Sequence, residues 1–259
     1  MPETGNGKFG EHAWAVGELM ETRSIVAIHQ PNFFPWLGYF EKIARCDLFV
    51  FLDDVQYTKK GGSWSNRVRM LVAGQPKWVS AAIVRNYHGV RTIRELEFRA
   101  DVPWRKKMVK TIVANYAKCA HFEEVMQILE PLITNPEPNM AEYNCRAVQR
   151  LASALEISTP MVRSSSIEYG DSVGTARLID IVRATGGRAY LCGGGASGYQ
   201  EDTLFDQAGI ELIYQNFRHP EYPQRGSTGF VAGLSVMDAM FNVGLDATGR
   251  LLRGVWHGG

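Results

Sequence analysis

The residues that most restrict the architecture lie between positions 24 and 54. Ser24–His29 (SIVAIH) is rich in β-branched residues, and Cys46–Leu52 (CDLFVFL) is apolar almost throughout. An unbroken apolar run of that length suits a strand covered on both faces. Between the two runs, Trp36, Tyr39, Phe40 and Ile43 fall at i, i+3, i+4 and i+7, and Pro35 suits the first turn of a helix. Strand, helix, strand is a βαβ unit, and its strands run parallel.

The remainder extends this unit. Asn66–Val72 and Lys77–Val84 around a turn at Ala73–Pro76 read as an antiparallel hairpin, with Arg91–Arg99 as a candidate extension. From Val102 to Glu156 the pattern is helical. Trp104, Met108, Ile112 and Tyr116 share one face, and two further helices, Phe122–Ile133 and Met140–Leu155, flank a break at Asn135–Asn139. Strands at Thr159–Arg163, Arg188–Cys192 and Ile210–Tyr214 then alternate with helices at Thr175–Thr185 and Thr203–Ala208, before a last helix at Ser235–Asn242. The expectation is an α/β fold: a mainly parallel central sheet flanked by helices, with an antiparallel hairpin insertion and a helical segment in mid-chain. Residues 1–22 read as a flexible tail, 23–246 as one domain and 247–259 as a C-terminal tail.

Composition narrows the function classes. A net charge of +1 gives no general drive toward nucleic acid. No apolar stretch approaches the roughly 20 residues of a bilayer span, so membrane insertion is not expected. Cys46, Cys119, Cys145 and Cys192 match no zinc spacing and read as buried thiols in a reducing, cytoplasmic setting.

In open parallel sheets ligands bind beyond the carboxyl ends of the strands. Those ends carry His29-Gln30-Pro31-Asn32, Asp53-Asp54, Ser164–Ser166, Cys192–Gly195 and Gln215–His219, all polar or Gly-rich. Asn32 either caps the following helix or helps hold an anion there. His29 is a general base or a satisfied edge histidine. One of Asp53 and Asp54 faces the mouth, as base, amine ligand or Mg²⁺ ligand, or both are loop caps, with Tyr57 and Lys59 as neighbouring contacts. Asn66, Arg67, Arg69 and Lys77 offer a cationic hairpin face to phosphate or carboxylate, or a merely solvated one. Gly193, Gly194 and Gly195 allow close backbone approach and an oxyanion-binding nest. Cys192 beside them is a nucleophile or an inert core thiol. His219 and Glu221, held between prolines, are a candidate partner and a candidate contact. The spacing assigns no metal site and names no cofactor.

"HQPNFFPWLGYFEKI", "FLDDVQYTKK" with "NRVRM", "WRKKMVKTIVANY", "HPEYPQ" and "FVAGLSVMDAMFNVG" together resemble the WbqC-like family, from about Ile25 to Gly244. The resemblance implies a place in bacterial O-antigen, other surface-polysaccharide or natural-product biosynthesis. It also implies a role in transferring glycine or another amino acid onto a sugar. The family's counterpart of "LCGGGASGY" reads closer to Leu-Ser-Gly-Pro-Ser-Gly, so Cys192 is a subgroup's nucleophile or a neutral replacement of serine. The leading expectation is an acyl or aminoacyl transferase with a sugar or other small-molecule acceptor and an acyl or aminoacyl carrier protein as candidate donor. His29, Asp54, Cys192 and His219 are its catalytic candidates. Gln30, Asn32 and Asp53 join the contacts named above. The alternatives are a nucleotide-dependent activating or nucleotidyl-transfer enzyme and a non-catalytic scaffold protein.

Overall fold

The computed structural model describes residues 25–58, 63–193 and 201–256. The first unit forms as the sequence suggests: β1 (Ile25–His29), α1 (Leu37–Ala44) and β2 (Leu48–Phe51). The hairpin β3 (Arg67–Val72) and β4 (Gln75–Ser80) follows, then α2 (Trp104–Tyr116), α3 (Phe122–Thr134) and α4 (Met140–Ala154). The chain then returns with β5 (Met161–Arg163), α5 (Gly174–Ala184), β6 (Ala189–Cys192), α6 (Asp202–Ala208), β7 (Glu211–Tyr214) and α7 (Val236–Trp256). The main sheet has the order β5-β2-β1-β6-β7 with every pairing parallel, and β3-β4 is a separate antiparallel pair.

Alternation along the strands builds two cores. Ala27, Phe49, Phe51 and Leu191 face α1, α4 and α7. Val26, Ile28, Val50, Tyr190 and Cys192 face α5 and α6, where Ile179, Val182 and Phe205 cover them. Side chains on a strand point alternately to opposite faces, so a fully apolar run is what a doubly covered strand requires.

Three local differences from the sequence reading have physical causes. The hairpin turn is the two-residue Ala73-Gly74, with φ of 52° and 70°. A two-residue hairpin turn with both central φ values positive matches the twist of the flanking strands. Arg91–Arg99 forms no third strand. Thr92 and Glu95 close a capping box around a 3-10 turn at Ile93–Glu95, leaving isolated bridges such as Ile83 to Phe98. The last helix runs on to Trp256, over residues expected as tail from 247, with Thr248 and Leu252 buried. Gly244 interrupts it at φ 82°, ψ 174°, and this break hid the continuation.

A buried cluster ties the layers together. Asp238 on α7 accepts hydrogen bonds from the Tyr116 hydroxyl (2.9 Å) and the Tyr222 hydroxyl (2.8 Å), while Tyr116 accepts one from the Leu71 amide (3.1 Å). Burial pushes the Asp238 carboxyl above its usual range, and the two hydroxyls work against that shift.

Gly244→Ala should be strongly destabilising. Its backbone lies where only glycine is at ease, and a Cβ there would sit 2.7 Å from the His121 ring. Backbone strain alone costs about 1–3 kcal/mol. A clear drop in Tm is expected, against little change for Gly254→Ala, where an added Cβ meets nothing within 4 Å.

Candidate functional site

β1 stays paired with β2 as far as His29–Phe51, but with β6 only as far as Ala27–Leu191. The carbonyls of Ile25 and His29 accept from the Asp47 and Leu52 amides on the β2 side. Alternation therefore turns the Ile28 carbonyl toward β6, where the Lys42 ammonium reaches it at 3.3 Å. Side chains on a helix lean toward its N-terminus, so a lysine in the second turn of α1 points back to the strand ends. This is also where the strand order reverses, with β2 and β5 on one side of β1 and β6 and β7 on the other. Ligands of open α/β sheets bind at such switch points.

A cavity of about 750 Å³ opens here. Its polar lining comes from His29, Gln30, Lys42, Asp54, Gln56, Thr175 and Arg177, with Gly193 at the end of β6. Lys42 is 2% exposed, and burial lowers its pKa to about 8. His29 packs edge-on against Tyr39 and Trp36, at centroid distances of 4.8 and 5.9 Å. Its Nδ1 lies 3.1 Å from the Gln30 carbonyl. A carbonyl only accepts, so the proton sits on Nδ1 and Nε2 keeps its lone pair. Burial, with the charge of Lys42 as the second cause, drives the His29 pKa down to about 3.

Asp54 takes 2.6 Å and 2.5 Å hydrogen bonds from the Ser164 and Tyr169 hydroxyls. Burial and this bond to Asp54 push the Tyr169 hydroxyl upward in pKa, so it stays a donor. Arg177 spends its Nε on the Ser172 carbonyl (2.8 Å), which leaves its terminal nitrogens for the cavity. Gly174 and Thr175, at the start of α5, belong to the wall, and the N-cap position, Val173, makes no side-chain cap bond there among the described residues.

Of the residues singled out from sequence, His29, Gln30, Asp54 and Gly193 meet around this cavity. Asp53 lies beneath it, buried, accepting from the Ser165 amide (3.1 Å) and hydroxyl (2.8 Å) to hold the segment after β5. Asn32 is buried without capping α1, and its Nδ2 has no partner among the described residues. Tyr57 donates to Asn66, which donates to the Ala81 carbonyl, a buried brace behind the hairpin. Arg67 lies over the Trp78 ring at 4.1 Å, Arg69 donates to the Ala232 carbonyl, and Lys77 is exposed on β4. None of these three cations lines the cavity.

Cys192 is fully buried in the core on the α5 side, because its parity on β6 matches Tyr190. His219, half-buried against Phe217, and Glu221, on a separate hollow beside Tyr222 and Arg250, are carried elsewhere by the chain after β7. Gln215 starts that diversion. Its side chain donates to the Gly38 carbonyl and to Glu41, each at 2.5 Å, and Arg45 donates to its carbonyl at 2.8 Å. Lys59, Gly194 and Gly195 lie outside the described residues. The sequence reading singles out neither Lys42 nor Arg177. The available signal for Lys42 was its place three residues after Tyr39, on a helix that is otherwise almost wholly buried.

The model of the WbqC-like protein family matches residues 30–249. Rv1507c, an uncharacterized protein of Mycobacterium tuberculosis, is 31% identical over 224 residues, covering 86% of this chain and 95% of its own length. No solved structure matches the chain.

The His29 environment predicts an acid-side loss of stability. The folded ring binds its proton only near pH 3, whereas the unfolded one does so near 6.5. Its contribution is whole above 6.5 and declines as the pH falls toward 3, with a slope of up to one proton. Melting curves from pH 7 to 4 should fall less steeply for His29→Gln than for the native protein.

Proposed function

Because the chain belongs to the WbqC-like protein family, we propose that it is a biosynthetic enzyme of bacterial surface polysaccharides or natural products. It transfers an acyl or aminoacyl group to an amine or hydroxyl of a small acceptor bound in the β1–β6 crevice. The observation that carries this reading is a neutral His29 ring with a fixed tautomer, on the wall of a cavity that also holds Lys42 and Asp54.

The chemistry follows from those groups. The acceptor nitrogen or oxygen attacks the donor carbonyl carbon, and the carbonyl π pair moves onto oxygen. Lys42 offers positive charge to that oxyanion in a low-dielectric setting. Collapse breaks the bond to the leaving group, a thiolate for a thioester donor, which departs with the electron pair. The acceptor's proton passes through His29 Nε2 to that leaving group. An anion bound beside Lys42 raises the basicity of His29, since a nearby negative charge favours the imidazolium. Asp54 orients the acceptor's N–H or O–H. The thiol of Cys192 takes no part, and transfer is direct.

Incubation with aminoacyl and acyl thioesters, free or on carrier proteins, together with amino sugars and simple amines, tests this by product mass. The native protein and Cys192→Ala should form the product, and His29→Gln should lose about 10²–10⁴-fold in rate, the usual contribution of a positioned general base. An acyl adduct on Cys192 in intact-protein mass spectra, or full activity of His29→Gln, would rule out this route. The reversal of strand order at the crevice favours nucleotide-dependent activation as a second reading. Under it, ATP with Mg²⁺ raises Tm and product formation requires ATP; the direct route needs neither.

A further inference from the structure

We propose that the crevice contains a subsite for a phosphoryl group, formed by the Lys42 ammonium, the Arg177 guanidinium and the uncapped start of α5, so that the enzyme's small-molecule substrate is phosphorylated. This rests on the crevice being the substrate site, as proposed above, and adds the chemical class of what enters it.

The argument begins with the cost of Lys42. A buried cation is expensive unless paired and hydrogen-bonded, yet among the described residues Lys42 makes a single hydrogen bond, to the Ile28 carbonyl at 3.3 Å. An ammonium has three donors, so two remain for the cavity that it lines. The nearest carboxylate on its own helix, Glu41, is already engaged by Arg45 (3.1 Å) and Gln215 (2.5 Å). The carboxylate lining the cavity, Asp54, accepts one bond on each oxygen, from Ser164 and Tyr169, and no ion pair among the described residues joins it to Lys42. Among the described residues, Lys42 thus has a charge and two donors without a counter-charge in contact.

A second cation comes from a different element. Arg177, in the first turns of α5, keeps its terminal nitrogens after bonding Ser172. The α5 start supplies a third direction, because the first amides of a helix have no intrahelical partner and carry the positive end of its dipole. Among the described residues the N-cap position, Val173, provides no side-chain cap for them, and Gly174 and Thr175 lie in the cavity wall. A planar carboxylate is met by one guanidinium. Donors that line one cavity from a lysine, an arginine and a helix start instead suit a tetrahedral dianion with three oxygens.

Titration calorimetry and thermal melts with inorganic pyrophosphate test this, with sodium acetate and chloride at matched ionic strength as controls. The native protein should bind pyrophosphate and gain several degrees in Tm, while acetate gives no such shift. Lys42→Met and Arg177→Gln should each weaken pyrophosphate at least tenfold, and Lys106→Met, on the exposed side of α2, should not. Without ligand, Lys42→Met should melt higher than the native protein, since a charge leaves the interior at nearly constant volume. Should that variant fail to fold, Arg177→Gln decides alone. No pyrophosphate-specific shift in the native protein, or undiminished binding in Arg177→Gln, would overturn the subsite. Acyl transfer that persists while pyrophosphate binding is absent removes the subsite but leaves the proposed reaction. Pyrophosphate binding without any transfer product removes the reaction and leaves the subsite.

Discussion

β1 has neighbours on both sides, but beyond Ala27 it keeps only one of them. That asymmetry opens the crevice and turns the Ile28 carbonyl toward it. It also makes room for an ammonium that an intact ladder would have excluded. Lys42 then fixes the electrical character of the site. It adds to burial, the larger cause, in holding His29 neutral, lies close enough to Gly193 that a Cβ there would be 3.7 Å from its Nζ, and prepares the walls for negative charge. The mid-chain hairpin and the helices α2–α4 stand away from the crevice and build one of the two cores.

The fold was largely readable because its information is local. Uniformly apolar runs such as Leu48–Phe51 are what a strand between two helix layers needs, and the four-residue spacing from Trp104 to Tyr116 names a single buried helix face. Half of the site was readable for the same reason: residues just past a strand end, such as His29, Gln30 and Asp54, have little choice of where to lie. The rest depended on contacts distant in sequence. Lys42 looks like an ordinary helix-surface lysine until the length of its side chain is set against a carbonyl 14 residues earlier. The position of Arg177 follows from how α5 crosses the sheet, which no spacing encodes.

The residues drawn elsewhere show the converse. Arg67, Arg69 and Lys77 share a charge type with a phosphate site, but they sit on a hairpin that joins no strand of the main sheet. His219, like His29, is carried at the carboxyl end of a strand, but beyond Tyr214, the last residue of β7, where His29 is itself the last residue of β1. One glutamine decides its fate: Gln215 fastens the chain to α1 before the histidine is reached. Strand parity alone assigns Cys192 to the core beside Tyr190, a rule that proximity to glycines obscured.

That fastening has a mechanical consequence. β7 belongs to the half of the sheet beyond the switch point, and α1 belongs to the half before it. The Gln215–Glu41–Arg45 clasp, with Phe217 lying close to Gly38, bridges the two halves on the α1 face. On the opposite face α5 rests on the sheet through apolar contacts, which slide more readily than a charged clasp. The crevice is therefore backed by a hydrogen-bonded clasp on the α1 face and by apolar packing on the α5 face.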